Sequence, residues 1–268
     1  MYRFGLIGNP VHHSQSPQIH QKFLDMIQAH GTYELIEVNE EDLGEQIRAF
    51  RNGRLDGCNV TVPYKTEVIP FLDELDDLAV KLQSVNTIKR KGNRLIGYNT
   101  DGIGYLESLK QAYPNFYHEL SQKRILILGA GGAARGIYYS LQMMNPKQID
   151  VANRTLEKAE VLSDGYSNSQ SLSLSDAERH LSRYDFVIQT TTTGMSPYEG
   201  DKIISLSNLK CPSIVSDIVY KPKWTKLLRE ANQIGADLLF GETMLWYQAA
   251  LAFEIWTGHS IKPFTKMM

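Results

Sequence analysis

Residues 124–136 read Arg-Ile-Leu-Ile-Leu-Gly-Ala-Gly-Gly-Ala-Ala-Arg-Gly, an apolar run followed at once by closely spaced glycines. The run from Ile125 to Leu128 has the length and apolarity of a strand buried on both faces. The small residues that follow allow the tight turn and close backbone approach that a pyrophosphate at a helix N-terminus requires; they are Gly129, Ala130, Gly131, Gly132 and Ala133. The segment therefore predicts a phosphate-binding turn between a strand and a helix. Because its spacing departs from Gly-x-Gly-x-x-Gly, a plain strand-to-helix turn of an α/β protein is the alternative.

The next predicted strand leads into Asn153-Arg154-Thr155, the position at which the adenine ribose of a bound dinucleotide lies. Enzymes that use NAD usually place Asp or Glu here, whereas a 2′-phosphate needs a cation with amide or hydroxyl donors. No carboxylate stands in this segment. Arg154 can stack on adenine and bind the phosphate, and Asn153, Thr155 and Lys158 supply further donors. The segment favours NADP(H) over NAD, with a solvated surface arginine as the alternative.

Composition indicates a soluble enzyme. The chain has 268 residues, and 28 Lys plus Arg balance 30 Asp plus Glu for a net charge of −2, so there is no electrostatic case for nucleic acid or an acidic membrane surface. No signal-peptide core and no apolar stretch of ~18 residues is present, which predicts a cytoplasmic protein. Cys58 and Cys211 lie far apart without metal-ligand spacing, and we expect both to be buried thiols of a reducing compartment.

The fold class follows from alternating strand and helix patterns. One set precedes the glycine turn and a second follows it, which predicts an α/β protein with two domains. The first would be a mostly parallel α/β sheet domain that holds the substrate, and the second a Rossmann-type domain. A hairpin is predicted over 86–99, turning at Lys91-Gly92-Asn93, and Ser175-Asp176-Ala177-Glu178 matches a capping box that would start a helix.

Ser14 and Ser16 lie in the polar segment that follows the first predicted strand. Pro17 suits the first position of a helix and Ser16 its N-cap. Two hydroxyls and free backbone amides would then face an anion, and a small carboxylate would fit. Simple capping by Ser16 is the alternative, which explains one serine but not Ser14.

Lys65 follows the segment Asp56 to Pro63, in which Asn59 and Thr61 share one face at the end of a predicted strand. We expect Lys65 in the first turn of a helix that Pro63 begins, where the helix dipole would loosen its proton. A lysine near a carbonyl can donate to the developing alkoxide during hydride attack and take the proton back in reverse. A solvated surface lysine is the commoner alternative.

Asp101 is the predicted partner of Lys65, at a strand end that enters a helix. A carboxylate beside the lysine would fix its geometry and share its proton, while capping of a helix over 102–112 is the alternative. Asn86 stands at the start of another predicted strand, where a turn asparagine is the alternative reading.

Together these segments resemble the shikimate dehydrogenase family over residues 8–248. The order and spacing of the matches are specific, although each alone is weak; beyond those already quoted they include Thr191 with Gly194-Met195, Asp217 with Tyr220, and Gly241 with Met244-Leu245 and Gln248. The resemblance implies a substrate-binding catalytic domain over 1–101 and an NADP-binding Rossmann domain over 102–240. It also implies a C-terminal helical segment over 241–268 that returns to the substrate domain.

The resemblance implies reversible, NADP(H)-dependent reduction of 3-dehydroshikimate to shikimate in aromatic amino acid biosynthesis. Ser14 and Ser16 would hold the substrate carboxylate, and Lys65 and Asp101 would be the acid/base pair. Further substrate ligands would be Asn59, Thr61, Asn86, Asp101, Tyr220 and Gln248. Ile218 and Gly241 would line the nicotinamide, and Asp77 would lie near the cofactor.

One position departs from the family. Gln189 stands where the family usually has Asn, and it is one methylene longer, so we expect a reshaped loop by the nicotinamide and carry no role onto it. Three alternatives have weight at this point. The first is a quinate/shikimate dehydrogenase of broader specificity, and the second is a non-catalytic nucleotide-binding protein on the same fold. The third is another two-domain dehydrogenase with such a glycine turn, although these lack the set of polar residues found in the first domain. The partner would be a small molecule in each case, and the choice between monomer and homodimer stays open.

Overall fold

The computed structural model describes residues 1–261, and the chain divides into two compact units. The first unit comprises Met1–Gly104 and the chain from Trp246 onward, and the second comprises Tyr105–Leu245. Residues 262–268 of the predicted C-terminal segment lie outside the described residues.

The first unit is built on one mixed sheet. Its strands are β1 (Tyr2–Gly8), β2 (Gly31–Glu37), β3 (Gly57–Val60), β4 (Glu74–Leu75), β5 (Thr87–Lys91) and β6 (Arg94–Tyr98). They lie in the order β2-β1-β3-β5-β6-β4, with β1 parallel to β2 and β3, and β4 parallel to β6. The predicted hairpin is β5–β6, which turns at Gly92 with φ of +62° and makes β5 antiparallel to both neighbours.

Helices cover both faces of this sheet. They are α1 (Ser16–Met26), α2 (Leu43–Arg51) and α3 (Asp77–Leu82), with 3₁₀ turns at Glu40–Asp42 and Ile69–Phe71. The next helix, α4 (Asp101–Ala112), begins in the first unit but belongs to the second from Tyr105, and its Tyr105, Leu106 and Leu109 are buried in the core of the second unit. On α2, Leu43, Ile47 and Phe50 recur at helical spacing and are buried in a core that includes Ile7 of β1. Phe4 of β1 belongs to a second core with residues of α1, because successive side chains of a strand point to opposite faces.

The second unit carries a parallel sheet. Its strands are β7 (Arg124–Leu128), β8 (Gln148–Ala152), β9 (Ser171–Leu172), β10 (Phe186–Gln189), β11 (Ile214–Asp217) and β12 (Asp237–Phe240). Their order is β12-β11-β10-β7-β8-β9 and neighbours pair in parallel. The chain fills one side of β7 with β8 and β9 and then crosses to β10, so the topological switch point lies between β7 and β10. This is the predicted Rossmann-type architecture.

The helices of the second half of the chain are α5 (Pro114–His118), α6 (Gly132–Gln142), α7 (Leu156–Ser163), α8 (Leu174–Arg179), α9 (Lys226–Gln233) and α10 (Gly241–Thr257), with 3₁₀ turns at Leu120–Gln122 and Leu181–Arg183. The last helix, α10, belongs to the second unit up to Leu245 and to the first unit from Trp246. Trp256 of α10 stacks on Phe4 at 4.6 Å between ring centroids, and its Nε1 donates to the carbonyl of Ile88 at 3.0 Å. A Cβ on Gly57 would lie 2.4 Å from the Trp256 ring, so the tryptophan requires a glycine there.

Two sequence expectations about this fold are wrong. The cap of α8 is Ser173, whose Oγ accepts from Asp176 N at 3.1 Å, and not Ser175; the same cap spacing occurs two residues earlier, where the chain leaves β9. Cys58 is buried as expected, but Cys211 is exposed, because it lies in a bend before β11 where its Sγ donates to the carbonyl of Ile234. In residues 1–261, no helix is long and apolar enough to cross a membrane.

Candidate active site

Lys65 and Asp101 form an ion pair in the first unit. Nζ of Lys65 lies 2.6 Å from Oδ2 of Asp101, and the two side chains are 19% and 9% exposed. The backbone carbonyl of Lys65 accepts from Val85 N at 2.7 Å, which anchors the lysine beside the strands. The low exposure limits screening by water, so the pair is held more firmly than a surface salt bridge.

The predicted helix at Pro63 is absent: residues 62–68 form successive turns that lead into the 3₁₀ turn at Ile69–Phe71. The Tyr64 side chain is buried and its hydroxyl donates to the carbonyl of Val38 at 2.5 Å, while Tyr64 N donates back to Thr61 O at 3.0 Å. These contacts hold the chain in turns. The expectation that a helix dipole acts on Lys65 is therefore wrong.

Both carboxylate oxygens of Asp101 have side-chain partners. Oδ2 accepts from Lys65, and Oδ1 accepts from Nδ2 of Asn86 at 2.9 Å. The helix α4 begins at Asp101 itself, and Asp101 N donates to Oδ1 of Asn99 at 3.1 Å. The preceding asparagine thus satisfies this backbone amide, and the Asp101 carboxylate remains directed at the lysine.

Asn86 and Gln248 complete this cluster. Oδ1 of Asn86 accepts from Thr100 N at 2.8 Å, and its Nδ2 lies 2.9 Å from Thr100 Oγ1 and 3.5 Å from Oε1 of Gln248. Gln248 reaches the cluster from α10 because α4 and α10 pack closely: a Cβ on Gly104 would lie 2.6 Å from the backbone N of Gln248. Sequence reasoning missed Thr100, which orients Asn86 and stands beside Asp101 in the sequence.

Ser14 and Ser16 form a hydroxyl pair at the start of α1. Oγ of Ser14 donates to Oγ of Ser16 at 3.0 Å and accepts from Ser16 N at 3.2 Å. The expected N-cap at Ser16 is wrong by one residue: α1 begins at Ser16, the N-cap is Gln15, and Gln15 makes no side-chain cap. The Ser14 hydroxyl accepts the hydrogen bond from the backbone amide of Ser16. This contact gives Ser14 a role that capping by Ser16 did not explain.

Tyr33 links the serine pair to the cluster around Asp101. Its hydroxyl donates to Oδ1 of Asn59 at 2.8 Å, and Ser16 is a second hydrogen-bond partner. Burial raises the pKa of Tyr33 well above its ordinary value, so the phenol stays protonated. Nδ2 of Asn59 donates to Asn86 O at 3.2 Å and Thr87 Oγ1 at 3.1 Å. Sequence reasoning missed Tyr33, because on β2 it has the pattern of an ordinary strand tyrosine.

The remaining candidates of the first unit are the predicted substrate ligands Asn59 and Thr61 and the predicted cofactor residue Asp77. Asn59 is 6% exposed and its amide is already bonded within the protein, so its geometry suits holding Asn86 in place. Thr61 follows β3 directly and its N donates to Ile7 O at 2.9 Å. Asp77 is the exposed first residue of α3. Their predicted contacts with ligands stay predictions.

The glycine turn has the geometry that its sequence predicts. Gly129 has φ of +113°, and a Cβ there would lie 2.6 Å from Thr190 Oγ1, so only glycine fits. Gly131 is the N-cap of α6 without a side-chain cap, and a Cβ there would meet no atom within 4 Å. The space in front of the α6 N-terminus is open, and its backbone N–H groups fit an anionic pyrophosphate.

Arg154, Thr155 and Lys158 are exposed just beyond the end of β8, next to the glycine turn in the sheet order. Asn153 lies between β8 and these residues, and its Nδ2 donates to the carbonyl of Thr155 at 2.8 Å, which shapes the loop. Arg154 and Thr155 on the loop and Lys158 in the first turn of α7 together offer two cations and a hydroxyl, which fit a phosphate group.

The carboxyl ends of β11 and β12 hold the cofactor candidates Ile218 and Gly241 and the substrate candidate Tyr220. Asp217 ends β11, and burial raises its pKa to about 6 despite hydrogen bonds from Thr225, Val219 and Gln189. Ile218 follows it, and a Cβ on Gly241 would lie 2.4 Å from the carbonyl of Ile218, so these two residues are in contact. Tyr220 is half-buried, and burial raises the pKa of its phenol.

Comparisons with known proteins cover nearly the whole chain. Residues 6–88 match the shikimate dehydrogenase substrate binding domain, 110–218 the shikimate / quinate 5-dehydrogenase family, and 241–262 the shikimate 5'-dehydrogenase C-terminal domain. The chain is 47% identical over 257 residues to the shikimate dehydrogenase (NADP(+)) of Bacillus licheniformis, covering 96% of this chain and 91% of that protein.

Solved structures give the same result. The shikimate 5-dehydrogenase of Thermus thermophilus, in complex with NADP(H) and shikimate, superimposes with a TM-score of 0.87 at 31% identity, over 98% of this chain and 96% of that one. A quinate dehydrogenase from Corynebacterium glutamicum in complex with NAD reaches a TM-score of 0.88 at 27% identity, over 97% and 94%. At 47% identity across almost its full length, the chain belongs to the shikimate dehydrogenase family.

Proposed function

We propose that this protein catalyses the reversible, NADP(H)-dependent interconversion of 3-dehydroshikimate and shikimate, a step of aromatic amino acid biosynthesis. The observation that carries the proposal is the Lys65–Asp101 pair at 2.6 Å, with Asn86 and Gln248 beside it. A non-catalytic nucleotide-binding protein would have no use for an acid/base pair surrounded by polar side chains. The names and bound ligands of the relatives support the same reaction.

Lys65 is assigned the proton transfer. When bound, NADPH supplies a hydride to the carbonyl carbon at C3 of the substrate, which leaves charge on the carbonyl oxygen. The Lys65 ammonium donates a proton to that oxygen, and in the reverse direction the neutral amine takes it back. Asp101 holds the ammonium through Oδ2, and Asn86 fixes the position of its Oδ1. The remaining lone pairs of the carboxylate can accept a hydrogen bond from a ring hydroxyl of the substrate. Gln248 and Thr61 are assigned to the other hydroxyls.

The order of the strands supports an assignment of residues to the two halves of the cofactor. The glycine turn follows β7 and would hold the pyrophosphate, and Arg154 follows β8 on one side and would hold the 2′-phosphate. The loops that follow β10 and β11, beyond the switch point, would receive the nicotinamide half. Ile218 and Gly241 would line the nicotinamide, and Tyr220 is assigned to the substrate.

We expect Arg154→Ala to raise KM for NADP roughly 10- to 100-fold with little change in kcat, because a charge-assisted hydrogen bond to phosphate contributes about 1.5–3 kcal/mol to ground and transition states alike. KM for NAD stays unchanged, since NAD lacks the phosphate. The measurement is initial rate against NADP and NAD in parallel, for Arg154→Ala and for the double variant with Lys158→Ala. Arg229→Ala, an exposed arginine of α9, is the control. Undiminished NADP preference in the double variant would contradict the assignment.

Ser14→Ala with Ser16→Ala is expected to weaken shikimate by ~1 to 3 kcal/mol for each hydrogen bond lost to the substrate carboxylate, and to leave NADP affinity intact. Calorimetry with shikimate and with its methyl ester separates this effect from general damage. The ester has lost the charge, so wild type and variant should bind it nearly alike. An equal loss for acid and ester would show that the serines do not read the carboxylate.

The proposed activity itself is tested with purified protein, shikimate or quinate, and NADP or NAD, by absorbance of the reduced nicotinamide. Rapid reduction of NADP with shikimate and little with quinate is expected. Faster turnover of quinate would instead favour the broader enzyme, and no reduction with either acid would favour a binding protein. We further propose that the protein acts in the cytoplasm, as a monomer or homodimer.

A further inference from the structure

Gln189 ends β10, and its side chain is only 1% exposed. Its Nε2 lies 3.0 Å from the carbonyl of Thr193 and 3.2 Å from that of Thr191, while its Oε1 accepts from Thr191 N. One carboxamide therefore satisfies three backbone groups of the loop that leaves the strand. The loop thus folds back around the Gln189 side chain, while the expected difference from the loop of the family stays a prediction.

The same Nε2 lies 3.3 Å from Oδ1 of Asp217, which ends β11 and is paired with Gln189 in the register of the sheet. Asp217 is fully buried and accepts from Val219 N at 2.9 Å and from Thr225 Oγ1 at 2.7 Å. Burying a carboxylate and a carboxamide at two strand ends costs desolvation free energy that apolar residues would avoid. Stability of the sheet alone therefore does not account for the pair.

The position of the network indicates its use. Residues 190–194 and 218–220 leave the carboxyl edge of the sheet on the β10 side of the switch point, the side assigned to the nicotinamide. The first loop also touches the glycine turn, because Thr190 Oγ1 donates to Leu128 O at 2.8 Å and lies against Gly129. The network thus connects the pyrophosphate turn to both loops.

We propose that Gln189 and Asp217 form a buried clamp that holds residues 190–194 and 218–220 in the shape that receives the nicotinamide ring. Gln189 is accordingly a positioning residue for hydride transfer. It acts directly on the backbone of Thr191 and Thr193, and through Asp217 on the backbone of Val219. The proposal rests on the proposed function, because it concerns the geometry of a bound nicotinamide cofactor.

The test compares two identical substitutions. Gln189→Met keeps the size of the side chain and removes the clamp. Gln148→Met removes a matching contact, Gln148 Nε2 to Oδ2 of the buried Asp150 at 2.6 Å, at the amino end of β8. For Gln189→Met we expect about tenfold lower kcat, as for a lost hydrogen bond of roughly 1.4 kcal/mol, with altered fluorescence of bound NADPH. KM for shikimate and affinity for 2′,5′-ADP stay unchanged, and Gln148→Met behaves like wild type in all four measurements.

A second pair of variants tests the clamp even if Gln189→Met does not fold. Gln189→Glu sets a carboxylate against Asp217 and should lower kcat further, and adding Asp217→Asn should restore part of the loss by removing the repulsion between the two buried carboxylates.

Three results would each overturn the clamp. The first is a Gln189→Met protein with the kcat and NADPH fluorescence of the wild type, and the second is an equal loss of kcat in Gln148→Met. The third is a double variant whose kcat does not recover from that of Gln189→Glu. Failure of the wild type to oxidise shikimate with NADP would count against the proposed function instead. The NADPH fluorescence comparison then still tests the clamp.

Discussion

Replacing Lys65 with alanine is expected to lower kcat by on the order of 10²- to 10⁴-fold, the range typical of a general acid/base, with KM for shikimate largely unchanged. The reason is that the proposed proton transfer occurs in the transition state, while Asn86, Gln248 and the serine pair still hold the ground state. Steady-state rates in both directions measure the effect.

Two further variants sharpen the Lys65 experiment. Lys65→Arg keeps a cation beside Asp101 but does not release its proton near neutral pH, so we expect kcat to stay low even though the charge is preserved. Lys91→Ala, at an exposed lysine at the end of β5, is the matched control and should be normal. A rise in KM with unchanged kcat in Lys65→Ala would show that the lysine only binds substrate.

Asp101→Asn is expected to reduce kcat and raise KM together, by on the order of 10²-fold in kcat/KM. In the native protein both carboxylate oxygens accept hydrogen bonds, from Lys65 and from Asn86. An asparagine has one amide nitrogen, and in either orientation that nitrogen faces a donor, so one contact of ~1–3 kcal/mol is lost in a buried site.

Crystallography and kinetics of Asp101→Asn test this reasoning, because displacement of the Lys65 ammonium should be visible. Asp42→Asn, at an exposed aspartate that caps α2 without a side-chain hydrogen bond, is the control. A nearly normal Asp101→Asn enzyme would remove Asp101 from the proposed site.

The sequence predicts the second unit better than the details of the first. At 124–142 the apolar strand, the glycines and the following helix are specified by local chemistry, because Gly129 alone adopts the required φ and clears Thr190. Elements whose conformation depends on contacts between distant residues are harder to predict from the sequence. The turns around Lys65 depend on the burial of Tyr64 against Val38, a contact between segments 26 residues apart that no local pattern specifies.

The same distinction applies to the site. Lys65, Asp101 and Asn86 stand at strand ends in polar segments, which marks them as candidates, but their contacts arise from tertiary packing. Tyr33 has no such mark, since its importance comes from reaching Asn59 across the sheet. Gln189 is identifiable in the sequence as a departure from the family, whereas its bond to Asp217 depends on the register of β10 and β11.

The placement of α10 has a consequence for how the chain folds. Residues 105–245 form a continuous unit, whereas the first unit combines Met1–Gly104 with the chain from Trp246 onward. During synthesis from the N-terminus, the Rossmann sheet is complete before Trp256 emerges to fill the space over Gly57 and Phe4. The face of the substrate sheet that carries Phe4 is therefore covered only by α1 until the chain has added about 150 further residues. Gln248 arrives on the same helix, so closure of that core and completion of the polar cluster around Asp101 are one event.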